Sequence, residues 1–273
     1  MISLPNILLV CIFTLKSNYC AAKHNSIDTL SVNESFNGQN CVIDNSILAG
    51  SYKLASKHML IELFSSQGCR SCLKTDSLID QLIQQKAIES KDIAFISYHV
   101  TYWNSLGWFD KYSTIQHDSL HQFYAFRHKQ YSYTPAIVVN GLSYGSGNNL
   151  PRIETIIDSI HSALLYNTVF LYARFISKDT VLVELSKTFE KARLHYVVVK
   201  KRINTAILNG ENKGKLMMQY NTSINNKAYD ITSDKQLSYK LYIPQLEDDV
   251  QLYIFLKNND GHVISEIIEI ITQ

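Results

Sequence analysis

Met59-Leu-Ile-Glu-Leu-Phe-Ser-Ser-Gln-Gly-Cys-Arg-Ser-Cys72 is the stretch on which the fold turns. Its first part, Met59 to Phe64, is apolar but for Glu62 and is closed by Ser65-Ser66-Gln67-Gly68, a pattern that suits a buried strand. Beyond Cys72, apolar residues fall at Leu78, Ile79, Leu82 and Ile83, the spacing of one helical face. The Cys-x-x-Cys pair is therefore expected after a strand and at the opening of a helix. Unpaired backbone N–H groups and the helix dipole stabilise a thiolate at such a position. Cys69 is expected as the exposed nucleophile, with Arg70 adding a positive charge beside it, and Cys72, one turn in, as the resolving thiol. Two other readings fit the spacing: a permanently closed disulfide, and half of a zinc site. The zinc reading lacks a second Cys pair or a His-x-His cluster to complete four ligands.

Outward from the dithiol, four features bear on its chemistry. Glu62 interrupts the apolar strand seven residues before Cys69, and a carboxylate buried on both faces of a sheet costs several kcal/mol unless paired or protonated. It is either a proton acceptor for the buried thiol, or a residue at the strand end or paired with a lysine or arginine. Thr134-Pro135 precedes a third strand, at the point where thiol-oxidoreductase folds place a cis proline against the dithiol. His99 ends the second strand, Asp92 to Val100, where ligands gather in open α/β sheets; it is a hydrogen-bonded structural histidine, an aid to proton transfer, or a metal ligand beside Cys69 and Cys72. Tyr102, Trp103 and Trp108 either cover the sheet end or line a substrate groove.

The remaining pattern divides the chain. A helix is expected from Thr114 to about Lys129, a strand over Ala136–Asn140 with a hairpin partner at Leu142–Tyr144, and a helix from Pro151 through Leu164. Beyond Asn167 the helical period stops. Runs at Val169–Ile176, Thr180–Ser186, Arg193–Val199, Leu237–Ile243, Val250–Leu256 and His262–Ile271 read as strands, and Asn258-Asn-Asp-Gly261 is hairpin chemistry. The expected architecture is an α/β thioredoxin-like domain over 58–166, followed by an antiparallel β-sandwich domain over 167–273. Residues 23–57, rich in Asn and Ser, form a lead-in, with one strand around Cys41-Val42-Ile43.

Composition limits the possible partners. The 273 residues are 46% hydrophobic and 18% charged, with a net charge of +2 and no sustained basic stripe, so nothing electrostatic points to nucleic acid or an anionic membrane surface. No cofactor motif is present. Asn6 to Leu15 is a short apolar run followed by Cys20-Ala21-Ala22, which reads as a signal peptide over residues 1–22 and implies export, with no membrane span after its removal. Cleavage leaves Cys41, Cys69 and Cys72, too few for a disulfide-stapled scaffold, in a compartment where a dithiol can cycle or stay closed.

Ile61 to Cys72, His99-Val-Thr-Tyr-Trp-Asn-Ser-Leu-Gly-Trp108 with Asp110, and Tyr133-Thr-Pro-Ala-Ile-Val-Val-Asn-Gly141 together resemble the DUF1223 family, from about residue 58 to the C-terminus and including Gly210-Glu-Asn-Lys-Gly214. The resemblance implies a thioredoxin-like protein exported to the periplasm or beyond a bacterial envelope, and brings no established activity with it. The chain departs from the family pattern at Leu73-Lys74, where Pro-Pro is usual, at Thr101 for Asp and at Ala136 for Gln, while the dithiol and Pro135 remain. The expected function is thiol–disulfide exchange with a protein or small-molecule thiol, carried by Cys69, Cys72, Glu62 and Pro135. A binding module with a structural Cys69–Cys72 disulfide and Cu(I) handling by soft thiolates are the alternatives.

Overall fold

A computed structural model describes residues 11–12, 19–20, 52–84, 92–163, 169–189, 191–231, 236–244, 246 and 249–272. The chain divides into two units, Met1–Ile43 and Asp44–Gln273. In the first, Cys11–Ile12 (β1) pairs antiparallel with Tyr19–Cys20 (β2). The rest of the expected signal segment, and the strand expected around Cys41, lie outside the described residues.

The second unit is built on a nine-stranded mixed sheet. In chain order its strands are Tyr52–Lys57 (β3), Met59–Ser65 (β4), Ile93–His99 (β5), Ala136–Val139 (β6), Ser143–Ser146 (β7), Ala192–Ala206 (β10), Leu216–Ile231 (β11), Val250–Lys257 (β13) and Ile267–Thr272 (β14). Their spatial order is β3-β14-β13-β10-β11-β5-β4-β6-β7. A separate antiparallel sheet holds Leu171–Ser177 (β8), Thr180–Leu185 (β9) and Ser238–Tyr242 (β12) in the order β12-β9-β8. The helices are Cys72–Gln84 (α1), Ile115–Arg127 (α2) and Leu150–Ala163 (α3).

The strands expected after residue 167 are present, but they divide between the two sheets. β10, β11, β13 and β14 extend the sheet of the first half, through β11 lying parallel to β5 with Thr222 opposite Ser97. The reason is the edge that β5 would otherwise leave unpaired, which a strand from the second half satisfies. Tyr52–Lys57, expected within the lead-in, is instead the far edge strand, paired with β14. β8 is tethered to the main sheet through the buried Glu266 carboxylate, which accepts from the Leu171 N–H at 2.8 Å and from the Ser56 hydroxyl at 2.6 Å.

Strand alternation sorts the side chains of the central strands onto two faces. Met59, Ile61 and Leu63 of β4 and Ile93 and Phe95 of β5 pack with Ile79 of α1 and Ile153, Ile157 and Ile160 of α3. Leu60 and Phe64 of β4 and Ala94, Ile96 and Tyr98 of β5 pack with Tyr124 and Ala125 of α2. Each face is thus sealed by its own apolar cluster, and a polar residue on β4 or β5 is committed by its parity to one or the other. At Gly141, φ is +73° and a Cβ would stand 2.1 Å from the Gly261 carbonyl oxygen, so only glycine lets the β6–β7 turn pass the β13–β14 turn. Among the described residues no helix is long and apolar enough to cross a membrane.

Candidate functional site

β4 runs directly into the turn that carries the dithiol. Cys69 and Cys72 are joined in a disulfide, with Cα atoms 5.4 Å apart and Cys72 as the first residue of α1. The turn is packed tightly: a Cβ on Gly68 would lie 3.1 Å from the Trp103 Cβ. Contrary to the expectation of an exposed nucleophile, Cys69 is 0% exposed, as is Cys72. Ser71 stands exposed above Cys69, and the residues around Thr134 close the other side.

Hydrogen bonding distinguishes the two sulfurs. The Cys72 N–H donates to Cys69 Sγ at 3.2 Å and the Thr134 hydroxyl at 3.3 Å. The Ser71 hydroxyl lies 3.3 Å from the same sulfur and donates to the Thr134 carbonyl at 3.2 Å. Because Trp103 Nε1–H donates to Thr134 Oγ1 at 2.8 Å, the threonine's own proton is left to point at Cys69. Thr134-Pro135 is a cis peptide, and Pro135 is buried beside Gly147, whose N–H bonds the Pro135 carbonyl at 3.0 Å.

A polar network from the second half of the chain holds the turn. Asn212, buried in the loop between β10 and β11, donates to the carbonyls of Gln67 and Cys69 at 2.9 and 3.0 Å. The Gln67 amide bonds Thr205 Oγ1 and Gln219 Oε1, each at 3.0 Å, and accepts from Trp108 Nε1–H at 3.1 Å. Both indoles therefore hydrogen-bond around the dithiol turn, Trp108 to Gln67 and Trp103 to Thr134.

On the α1 side of the sheet lies a group of buried ionisable residues. Asp76, four residues after Cys72 on α1, is buried and accepts from Gln219 Nε2–H at 3.4 Å. His99 has the parity of Phe95 on β5 and so faces the α1 side. Its Nδ1–H donates to Asp110 Oδ2 at 2.7 Å, both side chains being fully buried, and its Nε2 has no hydrogen-bond partner among the described residues. Asp110 also accepts from the Gln67 and Tyr112 N–H groups at 2.8 and 3.0 Å. Burial drives the Asp76 carboxyl up to about 7 against the opposing charge of His99 and the bond from Gln219, with Asp110 adding to the rise. For His99, burial pushes down, but the charge and bond of Asp110 and the charge of Asp76 outweigh it and hold the imidazole above its ordinary value. Burial would raise Asp110; the His99 charge, with its bond and the two backbone donors, instead holds it below the carboxylate range.

Of the sequence-derived residues, the structure brings Cys69, Cys72 and Pro135 together and places Glu62 elsewhere. Glu62 shares the parity of Leu60 and Phe64, so it faces α2, across the sheet from the dithiol helix. There Lys257 Nζ donates to Glu62 Oε1 at 2.6 Å and the Tyr124 hydroxyl to Oε2 at 2.8 Å. The paired-lysine reading is the one its contacts realise. Gln67, Asp110 and Asn212 entered the sequence reading as parts of the motifs that carry the family resemblance; no chemical role was assigned there to them, to Asp76 or to Gln219. Only Asp76 carried a local signal, since four residues beyond Cys72 is one helical turn. At Thr101, where the family pattern has an acid, the hydroxyl and N–H both bond Asp118, the N–H at 2.7 Å, so α2 supplies a carboxylate to that position. Among the described residues, no group of three or more His, Cys, Asp and Glu side chains is arranged to hold a metal ion.

The family whose description is "Protein of unknown function (DUF1223)" matches residues 60–257, from the second residue of β4 to the last of β13. The chain belongs to the DUF1223 family. The match spans the dithiol turn, Thr134-Pro135 and the loop of Asn212, and so covers every residue of the site just described. A protein from Agrobacterium tumefaciens solved by X-ray crystallography is similar in fold, with a TM-score of 0.62 at 20% identity, over 78% of this chain and 94% of that one. No curated protein matches the chain.

Proposed function

We propose that this DUF1223 protein is an exported thiol–disulfide exchange protein whose working pair is Cys69 and Cys72. The observation that carries the reading is the convergence of the Cys72 N–H and the Thr134 hydroxyl on Cys69 Sγ, with the Ser71 hydroxyl beside them. Donors aimed at one sulfur of a pair stabilise a thiolate there, so Cys69 is the nucleophile of the reduced pair and, in the reverse direction, the thiolate expelled from the mixed disulfide. A buried strand, a dithiol at a helix start and Thr134-Pro135 bonded beside it support a thioredoxin-like arrangement over residues 58–166. Its substrate is a protein or small-molecule thiol or disulfide, and the signal segment at 1–22 would deliver it to an oxidising compartment.

One observation favours a second reading. Neither sulfur is exposed, as expected of a disulfide that only braces the start of α1. A glutathione redox titration of the purified protein, read by alkylation of Cys69 and Cys72, separates the two. The exchange reading expects a potential between about −270 and −120 mV and loss of exchange in both Cys69→Ser and Cys72→Ser. A potential below about −300 mV without exchange would overturn it in favour of the brace.

A further inference from the structure

Opening a disulfide sends an electron pair to one sulfur, and a buried sulfur holds that charge poorly unless a proton follows it. Cys69 has donors to carry its charge; no hydrogen bond to Cys72 Sγ accompanies them among the described residues. Cys72 instead stands one helical turn above Asp76 on the same face of α1. The groups that face Asp76 are few. From β5 comes His99 and from the loop after it Asp110; His117, on the α2 side of the sheet, bonds the His99 carbonyl through Nδ1 at 2.9 Å. From β11 come Gln219, bonded to Asp76, and Tyr220, whose hydroxyl is taken by Asp80 on α1 and whose ring lies 5.9 Å from the Arg202 guanidinium of β10. The buried His99 Nε2, with no partner of its own among the described residues, is the vacant position in this set, and the charge that His99 feels besides Asp110 is that of Asp76.

We propose that Asp76, His99 and Asp110 form a proton relay on the α1 side of the sheet, in which Asp76 gives Cys72 its proton when the disulfide opens and takes it back when the disulfide closes. The relay rests on the exchange reading above. In the opening direction a substrate thiolate attacks Cys69 Sγ and a substrate–Cys69 bond forms. The Cys69–Cys72 bond breaks, and its electron pair goes to Cys72 Sγ, which takes the Asp76 proton. A second substrate thiolate then attacks the substrate sulfur of the mixed disulfide and expels Cys69 as a thiolate. The substrate dithiol is oxidised by two electrons and the protein disulfide is reduced by two. Closure runs in reverse against a disulfide oxidant, with Asp76 accepting the Cys72 proton. His99, held by Asp110, offsets the charge that Asp76 acquires, and an Asp76 poised near neutrality serves both directions.

The test mixes reduced full-length protein with glutathione disulfide and follows the Cys69–glutathione mixed disulfide by acid quench and intact-mass measurement. Collapse of that species is expected to show an inflection near neutral pH in the wild type, and Asp76→Asn is expected to slow it by about 100-fold and remove the inflection. Asp76→Glu should restore most of the rate. Collapse of Asp76→Asn at the wild-type rate, with the wild-type pH profile, would overturn the relay while leaving exchange intact. Failure of glutathione disulfide to oxidise the wild-type dithiol, together with failure to load Cys69 in Cys72→Ser, would instead sink the exchange reading and the relay together. Should Asp76→Asn not fold, carboxyl-carbon NMR of Asp76 in the wild type decides: a titration midpoint that moves between the oxidised and reduced protein supports the relay, and an unmoved one overturns it.

Discussion

The two faces of the β4–β5 strand pair both bury charge, and they do so on opposite terms. On the α2 side Glu62 is matched: Lys257 on one carboxylate oxygen, the Tyr124 hydroxyl on the other, and a further bond of 2.7 Å between lysine and tyrosine. On the α1 side Asp76 has one long amide bond, and His99 keeps a nitrogen unpartnered among the described residues. Burial lowers Lys257 and Glu62 opposes the fall, so the pair behaves as a closed unit. Burial raises Asp76 into the neutral range, where a proton can come and go. A satisfied buried charge holds a fold together, and an under-satisfied one is available for chemistry.

That contrast can be broken first at its strong side. Lys257→Met should cost about 3–5 kcal/mol, because it strands Glu62 without a counter-charge, and the double variant Glu62→Leu/Lys257→Met should recover most of the loss. Urea denaturation midpoints measure both, and equal losses in single and double variants would show that the pair is not a unit.

The weak side responds to pH with the opposite sign from an ordinary carboxylate. Asp76 is raised on folding, so between about pH 4 and pH 7 the unfolded chain has lost the proton that the folded chain keeps, and stability falls as pH rises through that window. His99, also raised, adds to the fall as pH passes its folded value, whereas Asp110, lowered, contributes above the usual carboxylate range and is lost only in stronger acid. Asp76→Asn in the oxidised protein should therefore gain more over wild type near pH 8 than near pH 5, the difference being on the order of 2–3 kcal/mol. Thermal melts at the two pH values check this; a gain that does not depend on pH would refute it.

The smallest effect sharpens the comparison at the turn itself. Asn212→Ala removes two bonds to the carbonyls of Gln67 and Cys69 and should cost about 1–2 kcal/mol, with faster reduction of the disulfide by dithiothreitol. Unchanged reduction kinetics would place the hold on the dithiol elsewhere.

Much of this was legible in the sequence where the cause is local. The buried strand, the helical spacing after Cys72 and the hairpin chemistry at 258–261 each follow from residues within a turn or two of one another. What was not legible depended on distant partners. Leu216–Ile231 reads Leu-Met-Met-Gln-Tyr-Asn-Thr-Ser-Ile-Asn-Asn-Lys-Ala-Tyr-Asp-Ile, too polar and irregular to announce a strand, yet pairing with β10 along its length and with β5 at Thr222 makes it one. Glu62 could be sorted only by knowing Lys257, 195 residues away. Asp76 showed its spacing but not its burial, which needs β11 laid against α1.

The reach of β11 also sets a clock. Asn212 contacts the Cys69 carbonyl across 143 residues of chain, and Gln219 reaches Asp76 across another 143-residue interval. At a synthesis rate of about 5–20 residues per second, the dithiol turn exists for roughly 7–30 s before the residues that lock it have been made. A newborn chain thus presents its two cysteines without the Asn212 and Gln219 contacts, and the turn that carries them is held only when the last third arrives.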